Sequence, residues 1–362
     1  MTGQHRIVVL GAGYAGLSAA RRFARKARGA DITVVDARAE FVERVRLHQQ
    51  AAGQQLSSWD IQEKLAAKRI RFVRDRAQDI DTAGKRVVLA NTPALEYDTL
   101  VYALGSIADT SGVPGVAEHA LTVATPEDAR WSVPGRGPVV VVGGGSTGIE
   151  LAAELAESQP DSRVVLVSSE QPGAWLSPRA QAHIRRVLKR LGVEIRADAK
   201  VIEVLADGVR LADGTVLESA ATVWTAGFGV PDLAARAGLA VDRKGRIRTD
   251  ETLRSISHPD IYAAGDAAVI AGPGDRELRM ACATALPTGK HAADAVIARS
   301  DGREPGPLRF RYYLQCLSLG RRDGVIQILH ADDSPARTVL TGRTAAWVKE
   351  SIVRGAGRAA TP

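Results

Sequence analysis

Short, continuous runs of aliphatic and β-branched residues alternate with alanine-rich helical stretches along this chain. Ile7-Val8-Val9-Leu10 gives way to a glycine turn, a helical stretch over 16–28 and a second apolar run at 32–35 that ends on Asp36. Strands without polar alternation, separated by helix-length segments, are what a parallel sheet buried on both faces requires. Further strands are predicted at 71–73 and 86–89. Residues 97–106 form an apolar strand that runs into a Gly105-Ser106 turn, where backbone leaves the sheet and can approach a ligand closely. After a linker at Val113-Pro114-Gly115 the plan repeats, with a strand at 138–142, a helix at 149–157 and a strand at 163–167. The segment 221–228 echoes the strand exit of the first unit, so the repeat is longer than its glycines. A third strand-to-helix turn follows at 259–268, then a helix at 289–299. From Gly302 a Pro/Gly-rich linker leads to a tail with strands near 311–319 and 324–329 and a helix at 344–354, too small to fold alone.

The predicted class is α/β: two Rossmann-like three-layer dinucleotide-binding domains and a small α+β C-terminal region. The first domain is discontinuous, over 1–112 and 240–302, and encloses the second, 113–239; the C-terminal region is 303–362. A chain of 362 residues, 45% of them hydrophobic, can fill that many cores. The first strand starts too early for a cleavable signal segment, and no apolar run approaches the roughly 20 residues of a membrane helix. Two cysteines, Cys282 and Cys316, make no disulfide framework, so a cytoplasmic protein with at most peripheral membrane contact is expected. The net charge of +7 is spread along the chain and aromatics are only 4%, which leaves no stacking platform for nucleic acid. Nothing in the pattern calls for a metal.

Two glycine fingerprints carry the chemistry. Gly11-Ala12-Gly13-Tyr14-Ala15-Gly16 and Gly143-Gly144-Gly145-Ser146-Thr147-Gly148 each follow a β-branched run and precede an alanine-rich helix. In such a turn the first glycine allows the tight bend, the second lets backbone reach a pyrophosphate, and the third lets helix and strand pack closely. Asp36, 20 residues past Gly16, stands where a carboxylate accepts the ribose hydroxyls of an adenosine half. The same count from Gly148 reaches Ser168, with Glu170 two residues later and no arginine in 168–173 to grip a 2′-phosphate. NADH is therefore expected over NADPH at the second fingerprint. Two fingerprints imply two dinucleotides, a flavin that stays and a nicotinamide that visits.

With Tyr97-Asp98-Thr99-Leu100-Val101-Tyr102-Ala103-Leu104-Gly105-Ser106 and Asp260-Ile261-Tyr262-Ala263-Ala264-Gly265-Asp266-Ala267-Ala268, these turns resemble the two-dinucleotide-binding-domain flavoproteins. The resemblance, to the pyridine nucleotide-disulfide oxidoreductase superfamily, covers nearly the whole chain. It implies tightly bound, non-covalent FAD at Gly11, Gly13, Tyr14, Ala15, Gly16, Asp36, Ala37, Arg38, Arg46, Gly105, Gly265, Asp266, Pro287 and Thr288. Asp266 would meet the ribityl or pyrophosphate part. It implies NAD(P)H at Gly143, Gly145, Ser146, Thr147, Gly148, Glu150, Ser168, Glu170 and Gly227.

Within the superfamily, Gly145–Ala152 and Cys316–Val325 are similar to type II NADH dehydrogenases and their apoptosis-inducing-factor-like relatives. Disulfide reductases carry a cysteine pair after the acid that corresponds to Asp36, and 41–53 has none. The resemblance places Arg46 and His48 of that segment nearest the flavin and Glu150 near flavin and nicotinamide, which makes these three the catalytic candidates. It implies ping-pong hydride transfer from NADH to flavin N5 and on to a quinone-like or dye acceptor, and it allows a homodimer. Two departures bear on the acceptor: the family's two quinone-site glutamines are absent at Cys282–Pro287, and the tail is shorter than in membrane-anchored members. The helix at 344–354 is accordingly expected to pack on the core rather than serve as a membrane foot. Alternatives are a tailoring oxidoreductase of a quinonoid or aromatic metabolite, a reductase of a small redox protein, a sulfide or thiol:quinone oxidoreductase that uses Cys282 or Cys316, and a non-enzymatic NADH-sensing flavoprotein.

Overall fold

A computed structural model describes residues 4–131 and 137–361; Met1–Gly3, which bear on the signal-segment reading, lie outside the described residues. The first half holds β1 (Arg6–Leu10), β2 (Asp31–Asp36), β3 (Arg71–Arg74), the antiparallel meander β4 (Ala77–Asp81), β5 (Arg86–Leu89) and β6 (Leu95–Glu96), and then β7 (Thr99–Tyr102). The parallel sheet runs Ile261–Ala263, β7, β1, β2, β3, so a strand from late in the chain completes it. Ile7 to Leu10 are all buried at its centre, as their unbroken apolar run demands.

The helix Tyr14–Lys26 leaves the first fingerprint and packs along the helix Cys282–Ser300. Small residues make that approach: a Cβ on Gly289 would lie 2.0 Å from the Ala15 carbonyl oxygen, and Ala19, Ala20, Ala292 and Ala293 are buried along the two helices. The helix Cys282–Ser300 begins well before 289, because Pro287 sits inside it rather than ending it. The hydroxyls of Ser18 and Thr288 donate to the carbonyls of Leu286 and Thr284 around that break in the helical ladder.

The second sheet repeats the order of the first: Glu194–Arg196, Val164–Val167, Val139–Val142, Ala221–Trp224 and Ala120–Leu121, all parallel. The meander has its counterpart in Val201–Leu205, Gly208–Leu211 and Val216–Glu218. Ile107–Ala108 and Phe228–Gly229, just past the two strand exits, pair antiparallel and tie the sheets together.

The tail differs from expectation in extent. It adds a third strand, Pro335–Thr341, to Leu314–Ser318 and Gly324–Leu329, and its helix spans Gly342–Ala360. The third strand hides in the sequence because its central residues are Arg337 and Thr338 rather than an apolar run. Leu317, Leu319, Val325 and Val339 join Ile184 and Val187 in one core, so the tail is held by the second unit. The helix buries Ala345, Lys349, Val353, Gly357 and Ala360 and leaves Trp347 70% exposed, in keeping with a helix that packs on the core. Arg21 donates to the carbonyl of Ala359 near its end.

Candidate functional site

Gly13 is the N-cap of Tyr14–Lys26, with no side-chain cap and no acid in the first turn. The first helical bond runs from the Leu17 N–H to the Gly13 carbonyl (3.0 Å), so the N–H groups of the opening turn face outward. A Cβ on Gly16 would lie 1.8 Å from the Gly11 oxygen, whereas one on Gly13 would meet nothing within 4 Å. Tight packing at the third glycine and open space at the second make a cradle for an anion at a helix N-terminus. Asp36 closes one end of it, accepting from the Ala12 N–H at 2.7 Å and the Arg38 N–H at 2.9 Å. Ala37 is exposed, and Arg38 pairs with Glu127 at 2.9 Å.

At the other end Gly105 and Gly265 both take φ +70, a left-handed geometry that glycine adopts without strain. The Ser106 hydroxyl donates to Asp266 (2.6 Å), and the Thr288 hydroxyl accepts from the Gly265 N–H (3.1 Å) while Pro287 precedes it in the helix. Arg44, which the sequence reading passed over, donates to the Ser106 carbonyl at 2.5 Å. Burial lowers its pKa, with Asp266 opposing, and its Nη2 is buried without a partner, as is the Tyr14 hydroxyl. An open glycine cradle, a ribose-type acid and two orphaned polar atoms fit a long, polar, diphosphate-linked cofactor, which is what FAD is.

The second fingerprint repeats this geometry with looser ends. Gly145 caps Ser146–Ser158 without a side-chain bond or an acid in the first turn, and the space beside it is open. A Cβ on Gly148 would lie 1.9 Å from the Gly143 oxygen. Ser146 and Thr147 open the helix, and Gly227 takes φ +128 where the neighbouring strand leaves the sheet. Ser168 is buried against Gly144 of the fingerprint, and Glu170 is exposed just past the strand. The nearby Arg196 is engaged by Glu194 at 2.6 Å.

Glu150, one turn into that helix, enters a buried polar cluster with residues from three other elements. Its Oε1 accepts from the Ser318 N–H (2.8 Å) and hydroxyl (3.1 Å) and contacts the Lys349 ammonium. Lys349 also donates to the Ser318 hydroxyl at 3.1 Å. His48 Nδ1 lies 3.9 Å from Glu150 Oε2 and its Nε2 3.3 Å from the Ser318 oxygen. Burial, helped by Lys349, Arg321 and Arg46, holds His48 well below its usual pKa, so it is neutral at neutral pH. Burial brings Lys349 down to about 7. A carboxylate, a neutral imidazole and an ammonium of that pKa, in contact and largely dry, can hold or pass a proton near neutrality.

Arg46 is buried and already ion-paired. Its Nη1 and Nη2 are 2.9 Å from the Glu350 oxygens and its Nε 2.9 Å from Glu43, which ties the 41–53 segment to the C-terminal helix. The Arg46 guanidinium in turn holds Glu350 at about 2. Lys349, Ser318 and Arg44 went unnoticed in the sequence. A lysine among small residues of an otherwise modest amphipathic helix was the signal for the first; nothing local marks the other two.

Glu154, one turn beyond Glu150, is 1% exposed, accepts from the Gln54 amide and keeps Oε2 without a partner. Burial raises its pKa. Such a carboxyl costs nothing below the unfolded value near 4.5, and its penalty grows as pH rises until the raised folded value is passed. Glu154→Gln is therefore expected to gain melting temperature relative to wild type from pH 5 towards pH 8, by about 1–3 kcal/mol of stability at the upper end. A pH series of thermal melts showing equal slopes for the two proteins would rule this out.

The two thiols are poor nucleophiles as placed. Burial and Asp266 raise the pKa of Cys282, and burial pushes Cys316 up to about 12. Among the described residues no helix is long and apolar enough to cross a membrane.

A family model described as pyridine nucleotide-disulphide oxidoreductase matches residues 5–293. An NADH dehydrogenase-like protein of Mycobacterium tuberculosis is 31% identical, with 96% of this chain and 92% of that protein covered. A type II NADH:quinone oxidoreductase of Staphylococcus haemolyticus is 27% identical over 96% of this chain and 94% of its own. Among solved structures, NDH2 from Plasmodium falciparum in complex with NADH superposes with TM-score 0.80 at 15% identity, covering 97% of this chain and 94% of that one. Sulfide:quinone oxidoreductase from Aquifex aeolicus also gives 0.80, at 18% identity, over 97% and 90%. The two structural likenesses show the fold.

Proposed function

Since the chain belongs to the pyridine nucleotide-disulphide oxidoreductase family and is an FAD-containing, NAD(P)H-dependent oxidoreductase, we propose that it passes electrons from NADH to a quinone-like acceptor by a ping-pong route. One observation carries the reading. The helix that opens on the second nucleotide cradle delivers Glu150 into a buried proton-holding cluster, together with His48 from the segment beside the first cradle.

When bound, FAD supplies the two-electron relay between donor and acceptor. The chain supplies the rest. The bare N-termini of Tyr14–Lys26 and Ser146–Ser158 bind the two pyrophosphates, and Asp36 accepts the ribose hydroxyls of the resident nucleotide. Glu170 serves the ribose of the visiting one, and Arg196 on the neighbouring strand pairs with Glu194 rather than standing free for a 2′-phosphate. Glu150, with Lys349 and His48, keeps a proton at the junction for an acceptor that must gain protons with its electrons. The raised thiols of Cys282 and Cys316 speak against a sulfur route.

The proposed domains are 1–112 with 240–302 for FAD, 113–239 for NADH, and 303–362 as the C-terminal region. A cytoplasmic location with peripheral membrane contact fits the exposed Tyr313, Ile328, Leu340 and Trp347 of that region, which would let a lipid-borne quinone be reached. Steady-state rates over a grid of NADH and a water-soluble quinone are expected to give parallel double-reciprocal lines, with NADPH the poorer donor. Intersecting lines, or faster turnover with NADPH, would contradict the respective part of this reading.

A further inference from the structure

Strand β3 is the outer strand of the first sheet, paired among the described residues only with β2. The Asp75 N–H donates across that ladder to the Asp36 carbonyl, so the alternation of a strand turns the main-chain groups of Arg74 and Phe72 away from the sheet. On that side lies an open groove of about 510 Å³ between Arg71–Arg74 and Thr92–Leu95. Its far wall is pinned. Asp75 accepts from the Asn91 and Thr92 N–H groups, the Asn91 amide and the Thr92 hydroxyl, at 2.8 to 2.9 Å.

The exposed charge around the groove is predominantly positive. Lys68, Arg69, Arg71, Arg74 and Arg76 are all exposed, and none has an ion-pair partner among the described residues. Of the neighbouring acids, Glu63 pairs with Lys64, Asp81 with Arg86 and Glu96 with Arg6, which leaves exposed Asp79 against those five cations. Arg71 and Arg74 fall on opposite faces of the strand, and half-buried Phe72 and Val73 lie between them. Any segment laid along β3 would thus have a cation above and below it and apolar contacts in between.

We propose that β3 and this groove bind an acidic, extended segment of a partner polypeptide, which joins the first sheet as a sixth strand. Main-chain hydrogen bonds to Phe72 and Arg74 would supply register, and the cations would supply selectivity. The same cations keep two copies of this edge from pairing with each other, which is how an open edge is kept from self-association while it stays available to an acidic strand.

The test uses the FAD-loaded full chain and a fluorescent peptide of alternating glutamate and valine, followed by anisotropy. Salt-sensitive binding is expected, with slowed amide exchange at Phe72 and Arg74 on peptide addition and about tenfold weaker binding in Arg71→Glu/Arg74→Glu. The variant's melting temperature and flavin content, both expected to match wild type, confirm that it is folded. Absence of binding, equal binding by the folded variant, or binding without protection at β3 would each overturn the proposal. So would equal loss, in the variant, of a single-stranded oligonucleotide or phosphatidylglycerol vesicles that bind wild type as tightly as the peptide does, since the patch would then be a general anion surface.

Discussion

Gly148→Ala is expected to give a protein that keeps its FAD and is reduced by NADH at least about a hundredfold more slowly than wild type. The new methyl would lie 1.9 Å from the Gly143 oxygen and 2.7 Å from the Thr225 hydroxyl, both on backbone or well-anchored neighbours that have no room to give. The helix Ser146–Ser158 must back away from its strand, and its N-terminus moves with it. A displacement of that order at a binding terminus is enough to ruin the alignment of donor and acceptor. Gly16→Ala makes the same collision, 1.8 Å from the Gly11 oxygen, on the other cradle, and is expected to abolish FAD retention instead. Flavin absorbance of the purified variants and the anaerobic rate of NADH reduction read the two effects separately. Loss of FAD from Gly148→Ala with normal retention in Gly16→Ala would mean that the two cradles are assigned the wrong way round.

Glu150→Gln is expected to lower turnover by about 10²–10⁴-fold. The amide oxygen can still accept from the Ser318 N–H, so the local fold is preserved, but the negative charge that faces Lys349 is gone. Lys349 then loses its ammonium form more readily, and the pair no longer holds a proton near pH 7. If the carboxylate chiefly supplies protons, kcat falls and its pH dependence flattens. If it chiefly orients the nicotinamide, the loss appears in kcat/KM for NADH with the pH profile intact. Unchanged kcat and KM would leave Glu150 a structural residue of the buried cluster.

Much of this was legible because local rules and the tertiary fold agree. The unbroken apolar runs at Ile7–Leu10 and Val139–Val142 can only be central parallel strands, and Gly16 and Gly148 stand where a side chain would strike backbone. Asp36 was legible from spacing alone, since the turn and the strand length fix where it falls. The cluster around Glu150 was only half legible. Its other members come from positions 48, 318 and 349, and no pattern along the chain reveals that four elements share one dry spot. Arg46 was half legible for the same reason: its position suggested a cofactor contact, and nothing along the chain reveals that Glu350, more than three hundred residues away, pairs with its guanidinium. The helix expected from Gly289 begins at Cys282, and the Ser18 hydroxyl that donates to the Leu286 carbonyl beside Pro287 comes from far along the chain, where no local pattern shows it.

The central claim is that one chain carries electrons from NADH, docked at Gly143–Gly148, through FAD, held at Gly11–Gly16, to a quinone-like acceptor. Sequential-mixing stopped flow tests it directly, with the FAD-loaded protein mixed anaerobically with one equivalent of NADH and then with a soluble quinone. The account predicts that NADH bleaches the flavin absorbance and that quinone restores it, both at least as fast as steady-state turnover. A flavin that NADH bleaches but quinone leaves reduced would contradict the acceptor, and one that NADH does not bleach at all would contradict the account itself.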